Sequence, residues 1–227
     1  MSEAAEQDRR PVAAVVEEAR EASNETRDST EKPKSQAQKN RENLKAVGTI
    51  HGTAVVAALT LFGAAHTWAS VSGWPLATVT GVAAALIAGV VISAIAHEWG
   101  HFAGSALSGS RYKVARKPFN YFFMFSFDTP ANTTRQALWL SWGGQAGSWG
   151  VFVAILALVP MDSWASAALA ATLLGQALNA SIFEFPVIFR TRQSGEFEQE
   201  LARRLESPGV VRMPGLIAGL IFFALLT

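Results

Sequence analysis

Apolar residues in this chain gather into long runs, separated by short polar connections. Five runs stand out, at residues 47–68, 76–107, 136–159, 164–189 and Met213–Leu226. At about 1.5 Å per helical residue, each of the first four can cross a bilayer core of about 30 Å. The fifth is short, and reads as a truncated span or an interfacial helix. Residues 1–46 contain no comparable run. The pattern predicts an all-α polytopic membrane protein of about five transmembrane helices, with a polar tail at 1–46 and one membrane-embedded domain at 47–227. One stretch departs from it: PFNYFFMFSF, at 118–127, is aromatic and too short to span. It predicts one or two strands or a re-entrant segment, and reads equally well as an interfacial aromatic belt.

Charge sharpens this division. The tail holds ten acidic and nine basic residues and no aromatic one. Such a segment cannot bury enough apolar surface to offset the entropy of ordering, so it is expected to be disordered, with a nascent helix near 11–21. Nor does it read as a secretory signal, because no apolar core follows a short basic start. Beyond the tail, every Lys and Arg falls within 111–135 or 190–212, and the connections 69–75 and 160–163 carry none. The positive-inside rule then places the tail, both basic loops and the 118–127 segment on the cytoplasmic side, with the C-terminus outside if the last run spans. A net charge of +1 gives no case for a nucleic-acid partner. The absence of cysteine excludes disulfides and thiolate metal sites, so any transition metal must be held by His and carboxylate.

The second apolar run contains HEWGH at 97–101. At helical spacing His97 and His101 are i and i+4, so both imidazoles project from one face and can share a cation. Glu98, beside the first, can serve as general base toward a water activated by that cation. Paired core histidines are the plainer alternative. Ionisable groups in a membrane helix cost roughly 2.5–3.5 kcal/mol each, however, and such groups persist where they have work to do.

Two histidines do not complete a catalytic zinc site. Outside the tail there are only eight acids, and Glu184 is the other one inside an apolar run. It lies six residues before Arg190, about 9 Å from the cytoplasmic boundary, and His101 lies ten before Arg111, about 15 Å from it. Pro186 is expected to break the helix there and free Glu184 to turn. His51, at a similar depth in the first run, is the rival, as fourth ligand, second-shell partner or interfacial histidine. Asp128 is within reach only if the 118–127 segment folds back. His66 and Asp162 belong to the opposite side of the membrane.

Three blocks in order resemble the site-2 protease family of intramembrane zinc metalloproteases. HEWGHFAGSALSGSRYKV looks like the family's HExxH helix and following loop, WLSWGGQAGSWGVFVAILAL like its glycine-rich span, and LNASIFEFP like its third motif. The last block departs from the family, which carries a metal-binding aspartate followed by glycine where this chain has Glu184, Phe185 and Pro186. The resemblance implies a metal held by His97, His101 and Glu184, with Glu98 as catalytic base. Gly143, Gly144, Gly147 and Ser148 are small residues at helical spacing, and read first as close-packing positions. Gln145 and Asn179 are candidates to hydrogen-bond a substrate backbone, or simply another helix.

The expected function is an intramembrane endopeptidase with one Zn²⁺ per chain, acting in the lipid bilayer on a transmembrane segment of another protein. A non-proteolytic homologue with a binding or regulatory role is the alternative, favoured by the altered third motif. A proton or metal transporter is a weaker third, since the outer halves of the spans carry few polar residues.

Overall fold

The structure is a computed structural model that describes residues 34–119, 123–206 and 212–227. The expected disorder and nascent helix in the first 33 residues lie outside the described residues. Asn40–Thr227 forms one compact unit. Among the described residues there are six α-helices and one two-stranded sheet.

Helix α1 spans Gln36–Ser72. The expected start at Val47 is therefore too late by eleven residues. The stretch QAQKNRENLKA is built from good helix formers with no Gly or Pro, so the helix extends past its apolar part. A tight turn at Gly73, with φ of +63°, leads into α2, Pro75–Leu107, whose first residue is a proline in the position that needs no N–H partner. Strands β1 (Tyr112–Phe119) and β2 (Phe123–Phe127) follow as an antiparallel pair, with Tyr112 opposite Phe127 and Val114 opposite Phe125. The predicted strand content is present, but begins at Tyr112, six residues before the aromatic stretch that announced it.

Helices α3 (Thr134–Leu158) and α4 (Trp164–Ser194) each open with a capping box, Thr133 with Gln136 and Ser163 with Ser166. A short amphipathic helix, α5 (Phe197–Leu205), and α6 (Arg212–Leu226) complete the chain. The expected break at Pro186 does not occur, because α4 runs through it. The carbonyl that loses its partner there, Ile182 O, accepts a hydrogen bond from Arg204 of α5 at 2.8 Å.

Among the described residues three of the five expected spans, α1, α2 and α4, are helices long and apolar enough to cross a membrane. Helix α3, with 25 residues, is long enough for about 37 Å and carries polar residues along its middle. Its Ser141, Gln145 and Ser148 are buried within the protein and not exposed to lipid. With 15 residues, α6 spans only about 22 Å. The outward faces are apolar, with Val56, Val71, Leu76 and Val79 all more than 60% exposed. Trp68, Trp74 and Trp164 are exposed where α1 ends and where α2 and α4 begin, as suits a membrane–water interface. This is a helical membrane protein.

Lipid is as apolar as leucine, so helix association here depends on close van der Waals contact. Helix α2 is the centre and packs on both α3 and α4. A Cβ at Gly100 would overlap the Gly143 carbonyl, one at Gly104 the Trp139 carbonyl, and one at Gly147 the Ala96 carbonyl. The α2–α3 crossing thus exists because these positions lack side chains. On the other flank, Ala85, Ala88, Ile92, Leu169 and Leu173 form the α2–α4 core, with Phe62 of α1 and Phe152 of α3 against it.

Candidate metal centre

The α2–α3 approach sets the site. His97 and His101 project from one face of α2, with ring centroids 4.4 Å apart. Their Nε2 atoms are 2.9 Å apart, and Glu184 Oε1 of α4 lies 3.0 Å from each. Among the described residues this is the group of three side chains whose ligand atoms converge closely enough to hold a metal ion.

The hydrogen bonds around it fix which atoms point inward. His101 Nδ1 lies 2.8 Å from the Leu140 carbonyl, which can only accept, so Nδ1 carries the proton. His97 Nδ1 lies 3.1 Å from the Gly144 carbonyl and 2.9 Å from Ser148 Oγ, and is protonated by the same argument. In the neutral ring with its proton on Nδ1, each imidazole presents an Nε2 lone pair. Together with a carboxylate oxygen, these are three ligand atoms within 3.0 Å of one another, placed to share a cation. Zinc bonds of about 2.0–2.1 Å would hold tetrahedral donors about 3.3 Å apart, so a small side-chain adjustment admits the ion. The donor set fits the metal that the HExxH pattern implied.

Gly144 adds a steric condition. A Cβ there would lie 2.6 Å from His101 Nε2 and 2.7 Å from its Nδ1, so the imidazole occupies the space a side chain would need. Gly143 and Gly147 are close-packing positions, as expected. Gly144 and Ser148 do more, since both touch the histidines.

Glu98 is buried, and its Oε1 accepts from the backbone N–H of Met124 in β2 at 2.8 Å. That bond ties the candidate base to the hairpin. His97, Glu98, His101 and Glu184 all line a cavity of about 690 Å³ whose apolar walls include Phe123, Phe125, Phe183 and Leu201.

Gln145 does not reach this cavity. Its Nε2 donates to Glu184 Oε2 at 2.8 Å, and its Oε1 accepts from Ser181 Oγ at 2.7 Å. The amide is buried with both ends engaged by α4, the second of the two expected roles, and one end holds the candidate ligand Glu184. Asn179 does line the cavity, while its Oδ1 accepts from Gly215 N of α6 at 3.1 Å. His51 stands outside the metal-binding group. It is buried against Trp99, whose indole donates to His51 Nδ1 at 3.1 Å. His66 pairs with Ser163 at the far end of α1, and Asp128 precedes a short 3-10 turn at Thr129–Ala131, outside the metal-binding group.

Sequence reasoning missed the ring partners Leu140 and Ser148, the Ser181 anchor and the Met124 N–H. Three of these four contacts run through backbone or a small hydroxyl between distant helices, and only the polar positions on α3 signalled them. No protein-family model matches this chain, and no curated protein or solved structure is similar to it.

Proposed function

We propose that this chain is an intramembrane zinc endopeptidase, similar in its working parts to the site-2 proteases, and that it cuts transmembrane segments of other proteins. The observation that carries the proposal is the convergence of three ligand atoms, His97 Nε2, His101 Nε2 and Glu184 Oε1, beside a buried Glu98. The longer side chain of Glu184 is no obstacle, since its Oε1 is equidistant from both imidazoles.

His97, His101 and Glu184 would hold the ion. Zinc supplies Lewis acidity, polarising a scissile carbonyl and making water nucleophilic near neutral pH. Glu98 accepts the proton of the attacking water and passes it to the departing amine nitrogen. The cavity walls exclude bulk water and suit an apolar segment.

The hairpin supplies edges for an unwound substrate, and the β1 edge is occupied at this level. On β1, Asn40 donates to Tyr112 O at 3.0 Å and accepts from Val114 N at 3.0 Å, while Asn43 donates to Val114 O at 2.8 Å. These two α1 side chains occupy the outward backbone groups of β1. Strand addition therefore falls to β2, where the Met124 N–H is held by Glu98 Oε1 and a substrate carbonyl would have to displace that bond. The basic loops support a cytoplasmic location for this side of the protein.

The test is cleavage of a model transmembrane substrate by reconstituted protein. Wild type should cut and Glu98→Gln should not, with metal content equal in the two. A fully active Glu98→Gln rules the mechanism out. Stable metal binding with no cleavage of any transmembrane substrate favours a non-proteolytic role.

A further inference from the structure

We propose that Gln145 is a positioning residue for the metal centre: by holding Glu184 Oε2, it leaves this carboxylate one oxygen, Oε1, for the ion. The inference rests on the metal-centre reading above and adds to it a determinant of how many donors the protein supplies.

The argument begins at the far end of a hydrogen-bond chain. Trp149 Nε1 donates to Ser181 Oγ at 2.9 Å. An indole N–H can only donate, so it occupies a lone pair of the hydroxyl and leaves the hydroxyl proton for another acceptor. That proton has Gln145 Oε1 at 2.7 Å and Ala177 O at 2.8 Å, both acceptors. The Glu184 carboxylate can only accept, which orients the Gln145 amide with its NH₂ toward Glu184 and its Oε1 toward the Ser181 hydroxyl. The NH₂ reaches Oε2 at 2.8 Å, and Oε1 is left directed at the two imidazoles.

The chain of contacts passes from α3 to α4, back to α3 and again to α4. Gln145 and Ser181 are both buried, and Gln145 is 3% exposed, so water does not compete for these bonds. Neighbouring carboxylate oxygens are both good zinc donors, and a glutamate has the reach to offer the two together. An N–H bonded to one of them competes with that option, because it draws the oxygen's charge and direction toward the amide. With two histidines and one oxygen the protein supplies three donors, the number that leaves a tetrahedral ion one open position. Without the Gln145 bond, Oε2 is free to become a fourth.

The experiment uses full-length protein in detergent, stripped with chelator and reloaded with Co²⁺, which takes zinc sites and whose visible bands weaken as coordination rises from four to five. Wild type should give the strong bands of four-coordinate cobalt. Gln145→Met keeps length and apolar packing but removes the amide, and should lower band intensity per bound cobalt and cut affinity about 10–100-fold. Ser181→Ala leaves Gln145 in place without its anchor, and should shift the bands the same way to a lesser extent, which keeps the test available if Gln145→Met does not fold. Unchanged bands and affinity in both variants overturn the positioning role and leave the metal centre standing. A loss of affinity with unchanged band intensity marks a packing role, and also overturns it. Failure of the wild type to bind Co²⁺ or Zn²⁺ removes the metal centre itself, a different result from either.

Discussion

Arg204 donates from Nη2 to the Ile182 carbonyl at 2.8 Å, and Ile182 is the residue four before Pro186, whose ring nitrogen has no hydrogen to offer it. A side chain from α5 thus replaces a main-chain bond that α4 cannot make. The same guanidinium lies 5.8 Å from the centroid of the Phe183 ring, which lines the cavity. A contact of this kind lets α4 continue past its proline and holds the short helix α5 against the mouth of the site.

Removing the guanidinium should therefore destabilise the fold through one carbonyl. Arg204→Ala leaves Ile182 O without its donor, at a cost of about 1–3 kcal/mol. Pro186→Ala restores the N–H, so the double variant should recover most of that loss. Thermal unfolding of the four proteins in detergent measures the coupling. Additive effects in the double variant would show that Arg204 acts elsewhere.

Gly144 is predicted to be the glycine on which metal binding depends. Gly144→Ala places a methyl group where the His101 ring sits, and should release the metal while α2 and α3 stay packed. Gly150→Ala on the same helix meets nothing within 4 Å, and should leave metal and stability unchanged. Metal content and helical circular dichroism on both proteins separate the two. Equal metal in Gly144→Ala and wild type would contradict the placement of His101.

The orientation proposed from the basic loops can be checked independently of chemistry. The chain has no cysteine, so single introduced thiols report without background. Cysteines at Ser70 and Asp162, both exposed, should react with an impermeant reagent added outside intact cells. One at Arg111, also exposed but beside the hairpin, should react only after lysis. Outside labelling at Arg111 would reverse the topology and move the site to the other face.

Legibility in the sequence tracked the range of the interaction involved. HEWGH could be read directly, because its geometry is set by one helical turn and needs no partner. Glu184 could be read from depth and from the resemblance, since the bilayer constrains where a buried acid sits. Gln145 could not be assigned, because its partner is 39 residues away and a polar residue in a glycine-rich span has many possible partners. Pro186 misled for the same reason: its local rule is a helix break, and the compensating Arg204 lies on another helix. Helix α3 read as an ordinary span because its hydrophobic run is long, while its polar residues turned out to face α2 and α4.

Glu184 is predicted to be the third ligand, and the structure makes a graded series possible. Its Oε1 lies 3.0 Å from both Nε2 atoms, whereas His51 is engaged with Trp99 and stands outside the metal-binding group. Glu184→Ala should leave two histidines and little retained zinc, and His51→Ala should keep most of it. Glu184→Asp lies between. Shortening the side chain by one methylene withdraws the carboxylate by about 1.5 Å, the length of a carbon–carbon bond, and also pulls Oε2 away from Gln145. Partial zinc retention is expected, weaker than in wild type and stronger than in Glu184→Ala, read by metal analysis after dialysis against a graded series of chelator concentrations. Retention equal to wild type would show that α4 moves to follow the shorter ligand. Equal zinc in Glu184→Ala and wild type, with loss in His51→Ala, would transfer the ligand to α1.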